Sequence, residues 1–208
     1  MLSTLVIASH NIGKVIELRQ LVAEHTTTNV TIQSLSELGI PEPEETESTF
    51  VGNAILKARH AFDQCHLPCL ADDSGLEVTC LDGRPGIYSA RWALHPHHKK
   101  RDFTYAMHKV NDAIGTHPDR SARFICALAW LTPDHPQPQT FVGTVDGTLC
   151  WPPRGTHGFG YDPMFIPNNH TQTFGEMTPK EKQPLTHRYR AFQQWCHHVF
   201  PTPNPPTP

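Results

Sequence analysis

Short apolar runs alternate with amphipathic stretches in the first half of the chain, and this alternation predicts strands followed by helices. The strands predicted from the apolar runs are Leu2–Ala8, Val30–Gln33 and Pro68–Ala71. Val15, Leu18 and Val22 recur at helical spacing, which predicts a helix directly after a loop at Ser9–Lys14. A further extended segment is expected at Leu76–Leu81, after the sequence Asp72-Asp73-Ser74-Gly75.

A second amphipathic helix is predicted after the acidic, proline-containing loop at Pro41–Ser48. Ser48 or Thr49 can cap its first turn, because a hydroxyl at that position accepts a backbone N–H. Its apolar stripe is expected to consist of Val51, Ile55 and Phe62.

Long strands dominate the second half of the chain. They are predicted at Arg123–Leu131 and Thr140–Leu149, after a helix near Arg101–Ile114. A last helix is expected from about Arg188, with Phe192, Trp195, Cys196 and Val199 facing inward. Because helices and strands alternate before the long strands begin, the pattern favours an α/β protein with a mixed sheet.

Composition narrows the possible classes of protein. The 208 residues, 38% hydrophobic and 18% charged, are typical of a globular domain, here expected at residues 1–200, with a disordered proline-rich tail at residues 201–208. The net charge of −3 gives no basic surface for a nucleic-acid polymer. No run approaches the roughly 20 apolar residues of a membrane-spanning helix. We therefore expect no membrane partner.

The cysteines and histidines do not form a metal-binding pattern. The six cysteines are scattered without a CxxC pair, which argues against zinc and favours reduced thiols in a cytoplasmic protein. Fifteen histidines include the run His95, His97 and His98. Because no carboxylate or cysteine accompanies it at ligand spacing, we interpret this run as an exposed polar loop.

The loop at Ser9–Lys14 joins a predicted strand to a predicted helix and has the elements of an anion site. Backbone N–H groups at a helix start, the flexible Gly13 and the Lys14 cation all favour phosphate. The loop is not a Walker A sequence, and a capped strand–turn–helix without a ligand is an equally ordinary interpretation.

Two further polar groups lie in the centre of the sequence. Asn53 and Lys57 are four residues apart and share a helix face, which is either solvated or placed over a phosphate chain. Asp72 and Asp73 follow an apolar strand, where paired carboxylates favour Mg²⁺ unless they form a simple acidic turn.

The sequence Gly158-Phe159-Gly160-Tyr161-Asp162-Pro163 combines flexible glycines with aromatic rings. The glycines allow close approach to a ligand, and Phe159 or Tyr161 can stack on a base. The alternative is an aromatic turn packed on the core. A basic cluster follows before the last helix, and it either binds phosphate or a base edge or is a charged surface turn. Its members are Lys180, Lys182, His187, Arg188 and Arg190.

Together and in this order, these segments resemble the inosine triphosphate pyrophosphatase family. The matching stretches run from residue 8 to residue 191 and are ASHNIGKVIEL, EETESTFVGNAILKARHAF, LADDSGLEVTCLDGRPGIYSAR, GFGYDPMFIP and KEKQPLTHRYRA. The resemblance implies an elongated α/β fold with two lobes around a central nucleotide-binding cleft, in a homodimer. It also implies hydrolysis of the noncanonical triphosphates ITP, dITP and XTP to the monophosphate and pyrophosphate, which cleanses the nucleotide pool.

The resemblance also assigns roles to individual residues. Asp73 and Lys57 would be catalytic, and Glu45 and Asp73 would bind Mg²⁺. The residues expected to bind the substrate are Ser9, His10, Asn11, Ile12, Gly13, Lys14, Asn53, Ser74, Phe159, Gly160, Tyr161, Asp162, Lys182, His187 and Arg188. No Ser or Cys is paired with a nearby base in any motif, so no covalent nucleophile is expected.

Three positions depart from the family pattern. Thr186 and Tyr189 stand where the family usually has Ser and Gly, and Pro184 is unusual at its position. These differences concern the base pocket rather than the chemistry. Two alternatives remain: a Maf-like pyrophosphatase for modified nucleotides, whose first loop usually carries arginines, and a nucleotide-binding protein without catalysis. The intact Asp72, Asp73 and Lys57 argue against the second alternative.

Overall fold

The structure, a computed structural model, describes residues 2–26, 29–97 and 100–200. Among these residues there is a six-stranded sheet with the order β2-β1-β3-β4-β5-β6. The strands are β1 Thr4–Ile7, β2 Thr31–Ser34, β3 Cys69–Val78, β4 Ser121–Leu131, β5 Gln139–Leu149 and β6 Phe165–Pro167. β1 pairs in parallel with both β2 and β3, whereas β5 and β6 are antiparallel. The predicted α/β fold with a mixed sheet is confirmed.

Helices connect most of these strands. They are α1 Ile12–His25, α2 Leu35–Leu38, α3 Phe50–Cys65, α4 Ser89–Trp92, α5 Phe103–Ile114, α6 Pro179–Lys182 and α7 His187–Val199. The short elements α2, α4, α6 and β6 were not predicted, since three or four residues are too few to establish a hydrophobic period. The tail from Pro201 and the position of His98 lie outside the described residues.

The chain divides into two compact units. The first consists of residues 1–72, 127–142 and 191–208, and the second of residues 73–126 and 143–190. The core of the first unit contains Leu5, Leu18, Leu70 and Trp195, all with no exposed surface. The core of the second unit is formed by β3, α5 and the aromatic side chains of Phe124, Phe165 and Phe174.

β3 corrects the prediction for the acidic motif. Asp72 and Asp73 lie inside a continuous ten-residue strand and not at the end of a four-residue one. Their side chains are nevertheless buried, with Asp72 at 1% and Asp73 at 5% exposure. The expected extension to Leu81 is also wrong, because Thr79–Leu81 forms a 3₁₀ turn.

α3 buries a different face from the predicted one. Val51, Ile55 and Phe62 are only half-buried, whereas Asn53 and Lys57 are buried at 1% and 8% exposure. Small alanines line the same buried face and leave room for long polar side chains. The interpretation of Asn53 and Lys57 as a solvated face is therefore wrong, and their burial requires polar partners.

In the described ranges, no helix is both long and apolar enough to cross a membrane.

Candidate active site

The first unit places the loop at Ser9–Lys14 between β1 and α1. α1 begins at Ile12, three residues earlier than predicted, because Asn11 caps it: the Asn11 side chain accepts the Lys14 backbone N–H at 3.3 Å. The buried Ser9 hydroxyl accepts the Asn11 N–H at 3.0 Å. Ile12 is 74% exposed, so the first turn of α1 is open to a ligand. A helix N-terminus of this kind is suited to binding an anion.

His10 contacts the loop that precedes α3. Its backbone N–H donates to Glu42 Oε1 at 2.7 Å, and its ring Nε2 lies 2.7 Å from the Ile40 carbonyl oxygen. These contacts give His10 a role in holding the loop at residues 40–42. Its predicted contact with substrate is not shown by these bonds and stays a prediction.

Two lysines of the first unit are paired with carboxylates. Lys14 Nζ forms an ion pair with Asp72, and Lys57 Nζ lies 2.5 Å from Glu45 Oε1. Asp72 and Lys57 are buried, which strengthens charge interactions relative to those at an exposed surface. Each of the predicted phosphate-binding lysines is thus paired with a carboxylate, which is a group that can also bind a cation.

Asn53 holds the acidic loop against α3. Its Oδ1 accepts the Glu47 backbone N–H at 3.1 Å, one helical turn before Lys57, which pairs with Glu45. Gly52 is needed beside it, since a Cβ there would approach Glu47 Cβ to 2.9 Å. The observed bond assigns Asn53 to loop positioning, and it leaves the predicted contact with substrate untested.

Replacing Asn53 by Ala should lower the free energy of unfolding by about 0.5–1.5 kcal/mol, because the Glu47 N–H loses its acceptor. Urea unfolding would measure the loss. Asn168→Ala, the same change at an exposed position, is the matched control. Equal stability of the two variants would contradict the assigned role.

The second unit contains Asp73 and the predicted base-binding residues. Ser74 follows Asp73 in β3, and its hydroxyl accepts an N–H of Arg188 at 3.0 Å. Arg188 is 3% exposed and lies in the first turn of α7, so α7 and β3 are joined at this point. The structure therefore brings together Ser74 and Arg188, which are 114 residues apart in sequence.

The loop at Gly158–Asp162 presents one aromatic ring and buries the other. Phe159 is 39% exposed, with Lys182 Nζ 5.4 Å and the Arg188 guanidinium carbon 5.7 Å from its ring centre. Tyr161 is only 3% exposed and donates its hydroxyl to the Ser89 carbonyl at 2.8 Å. Of the two predicted stacking residues, Phe159 fits the role and Tyr161 does not.

Asp162 organises this loop from inside. Its Oδ2 accepts the Phe159 N–H at 2.8 Å and lies 2.6 Å from Lys182 Nζ. These bonds fix the Phe159 backbone and hold the lysine over the ring. Asp162 was predicted to bind substrate, and its observed bonds are to the protein. Gly160, also predicted to bind substrate, has a φ of +70°, which favours glycine.

Gly158 is required by the same carboxylate. Its φ is +76°, and an added Cβ would come within 2.1 Å of Asp162 Oδ2 and 3.0 Å of Lys182 Nζ. We expect Gly158→Ala to cost about 1–2 kcal/mol for its backbone conformation and about 1–3 kcal/mol more for the overlap. Gly83→Ala is a close control, because Gly83 has a φ of +80° and open space around it. Thermal or urea unfolding measures the stability of both variants. An equal loss of stability in Gly158→Ala and Gly83→Ala would contradict this prediction.

The remaining predicted residue, His187, is the first residue of α7. His187, 8% exposed, stacks on Phe124 with ring centres 4.9 Å apart and planes at 15°. The departures from the family pattern are accommodated: the Thr186 hydroxyl accepts the Tyr189 N–H at 3.1 Å, as a capping serine would, and Pro184 lies in the first turn of a 3₁₀ helix.

Three acidic side chains, all buried or half-buried, carry donor atoms suited to Mg²⁺. Glu45, Asp72 and Asp73 supply carboxylate oxygens, the donors that Mg²⁺ prefers. Over the described part of the chain, no three His, Cys, Asp or Glu groups converge into a closed metal site, and the His95–His97 segment forms none. Mg²⁺ usually keeps several waters and binds through one or two carboxylates plus substrate phosphates. One or two of these carboxylates would therefore suffice for Mg²⁺ that arrives bound to a triphosphate.

Sequence reasoning missed Ser89, which is 5% exposed and bonded to both β3 and the loop carrying Tyr161. The only available signal was its position in the stretch GIYSAR, which carries no recognisable chemical pattern.

Comparison with known proteins shows which family this chain belongs to. The sequence profile of the Ham1 family matches residues 5–198. The chain is 53% identical over 190 residues to a dITP/XTP pyrophosphatase of Caulobacter vibrioides, covering 90% of this chain and 93% of that protein. It is 52% identical over 200 residues to a dITP/XTP pyrophosphatase of Rhodospirillum centenum, covering 95% of each.

A solved structure shows the same fold. The structure of a HAM1 protein from Coxiella burnetii superposes with a TM-score of 0.85 at 38% identity, covering 97% of this chain and all of that one. The α/β fold, matched over nearly the whole length of the chain, defines the class of protein. The chain belongs to the Ham1 family, and the resemblance found in the sequence is confirmed.

Proposed function

We propose that this protein hydrolyses noncanonical purine nucleoside triphosphates, namely ITP, dITP and XTP, to the monophosphate and pyrophosphate. The observation that carries the proposal is the half-exposed Phe159 ring with the cations of Lys182 and Arg188 over it. A flat base can stack on such a ring while hydrogen-bond donors face its edge. The relatives named dITP/XTP pyrophosphatases support the same substrate class.

The lysine–carboxylate pairs of the first unit suit the triphosphate. Cleavage of a phosphoanhydride needs neutralised phosphate oxygens and an oriented water. Lys14, Lys57 and the N–H groups at the start of α1 would bind the phosphates. Release of Glu45 from Lys57 would then leave a carboxylate for a cation.

Asp73 is proposed as the group that orients the attacking water and accepts its proton. Asp73 is 5% exposed and lies within β3, so its backbone position is set by the strand. Mg²⁺, with Glu45 and Asp73 as protein ligands, would supply Lewis-acid stabilisation of charge on the phosphate oxygens. Lys57 would act as a catalytic cation.

Three attributes of the whole protein belong to the same proposal. We propose that Mg²⁺ is the physiological cation, that the protein is a homodimer and that it acts in the cytoplasm. All six cysteines are free thiols, which agrees with a reducing compartment. Light scattering at micromolar concentration tests the dimer, and a monomer mass would contradict it.

Pyrophosphate release from a panel of nucleotides tests the proposal. We expect release from ITP, dITP and XTP in the presence of Mg²⁺ and its loss with a chelator. Preference for modified pyrimidine or methylated nucleotides would favour a Maf-like activity. Binding without release would indicate a non-catalytic nucleotide-binding protein.

A further inference from the structure

Ser89 joins three segments of the second unit. Its hydroxyl accepts the Leu76 backbone N–H at 2.9 Å and donates to the Gly86 carbonyl at 2.6 Å. Its carbonyl accepts the Tyr161 hydroxyl at 2.8 Å. One buried residue at the start of α4 is therefore bonded to β3, to the preceding 3₁₀ turn and to the aromatic loop.

The Tyr161 contact is well protected from water. Tyr161 is 3% exposed, and its ring meets Phe103 edge-on with centres 5.5 Å apart. Burial raises the pKa of the Tyr161 hydroxyl, which therefore stays protonated and remains a donor to Ser89 at neutral pH. The Tyr161 hydroxyl is therefore not accessible to a nucleotide base, and its bond to Ser89 holds the loop in place.

The bonded segments lead to both functional groups of the unit. Leu76 lies three residues after Asp73, in the same strand, and two residues after Ser74, which is bonded to Arg188. Tyr161 lies two residues after Phe159 and immediately before Asp162. Ser89 consequently links the strand that carries Asp73, the proposed catalytic carboxylate, to the loop that carries Phe159. We call the Phe159 ring, on which a base would stack, the base platform.

We propose that Ser89 and Tyr161 are positioning residues that set the base platform relative to Asp73. This inference rests on the proposed function. A nucleotide stacked on Phe159 has its reacting phosphate placed by the loop, and a misplacement of about 1 Å can lower the rate by as much as about 100-fold. Neither residue needs to touch the substrate to have this effect.

The test uses Tyr161→Phe, Ser89→Ala and the double variant in the full chain. Tyr161→Phe keeps the ring and removes only the hydroxyl, and Tyr88→Phe, at a 47% exposed tyrosine, is the matched control. We expect each single change to lower kcat/KM for ITP by about tenfold, mainly through kcat, because the phosphate is misplaced. The control should behave as the parent.

The kcat/KM of the double variant shows whether Ser89 and Tyr161 act together or independently. Ser89→Ala removes the hydroxyl bonds to Leu76 and Gly86, whereas Tyr161→Phe removes the bond to the Ser89 carbonyl. Because these bonds form one linkage from β3 to the loop, which either change interrupts, the double variant should lose about as much as the more affected single variant. Losses that multiply to about 100-fold would overturn the inference. A parental kcat/KM in Tyr161→Phe would do the same.

Hydrogen exchange of the loop at residues 158–162 gives a readout without nucleotide. Tyr161→Phe should exchange faster there than Tyr88→Phe, and equal exchange would overturn the inference. If the parent chain releases no pyrophosphate from any nucleotide, the proposed function fails. The exchange experiment then decides by itself whether the contact fixes the loop.

Discussion

Asp73→Asn should remove turnover of ITP while leaving the fold intact. The change keeps the size of the side chain and removes the negative charge that would bind Mg²⁺ and accept a proton from water. Loss of a general base lowers kcat by on the order of 100-fold or more. Because Asp73 is 5% exposed within β3, an uncharged amide should be tolerated there, and the melting temperature should change by only a few degrees.

Steady-state kinetics of pyrophosphate release, together with a thermal melt, check this prediction. Asp63→Asn, the same change on an exposed position of α3, is the matched control and should retain parental kinetics. A kcat close to the parental value in Asp73→Asn would exclude the proposed catalytic role. A large fall in melting temperature would show that the loss of activity reports on folding.

Selection of the base should be the second large effect. Inosine and xanthosine carry a 6-oxo acceptor where adenosine has an amino donor. The single Phe159 N–H is bonded to Asp162. Lys182 and Arg188 carry several N–H donors each, so we expect these side chains, with that of His187, to meet the oxo group. Against ATP these donors would face another donor, and each unpaired buried group costs roughly 1–3 kcal/mol.

We therefore expect kcat/KM for ITP and XTP to exceed that for ATP by about two orders of magnitude or more. GTP shares the 6-oxo group, and its rejection has to come from the 2-amino position. We expect the same direction of preference against GTP. Parallel kinetics with the four nucleotides measure both ratios. Equal kcat/KM for ATP and ITP would show that the basic cluster binds phosphate and does not select the base.

The local pattern of the sequence predicted the longer elements because each of them follows one hydrophobic period. Buried Val15, Leu18 and Val22 in α1, and Phe192 and Trp195 in α7, lie where helical spacing places them. Thr49 caps α3 as one of the two candidates, by accepting the Gly52 N–H at 3.0 Å. Caps and periodic stripes are short-range features, and a single sequence contains them.

The polar residues of the site were identified from sequence, but their surroundings were not. Helical periodicity placed Asn53 and Lys57 on one face of α3 and left two alternatives, a solvated face, as is usual for polar side chains, or a face over a phosphate chain. The structure buries the face, since Glu45 and the Glu47 backbone, from the loop before the helix, supply the partners. Nothing in the pattern of α3 alone indicates that these partners are present.

The sequence by itself determined the alternation of elements, the family and the candidate side chains, because all of these reside in local patterns and ordered motifs. Only the tertiary structure decided that Phe159 is presented while Tyr161 is buried, and that Ser89 fastens the loop to β3. These choices depend on contacts between segments as much as 72 residues apart. Their energy comes from burying and pairing groups that meet only after the chain has folded.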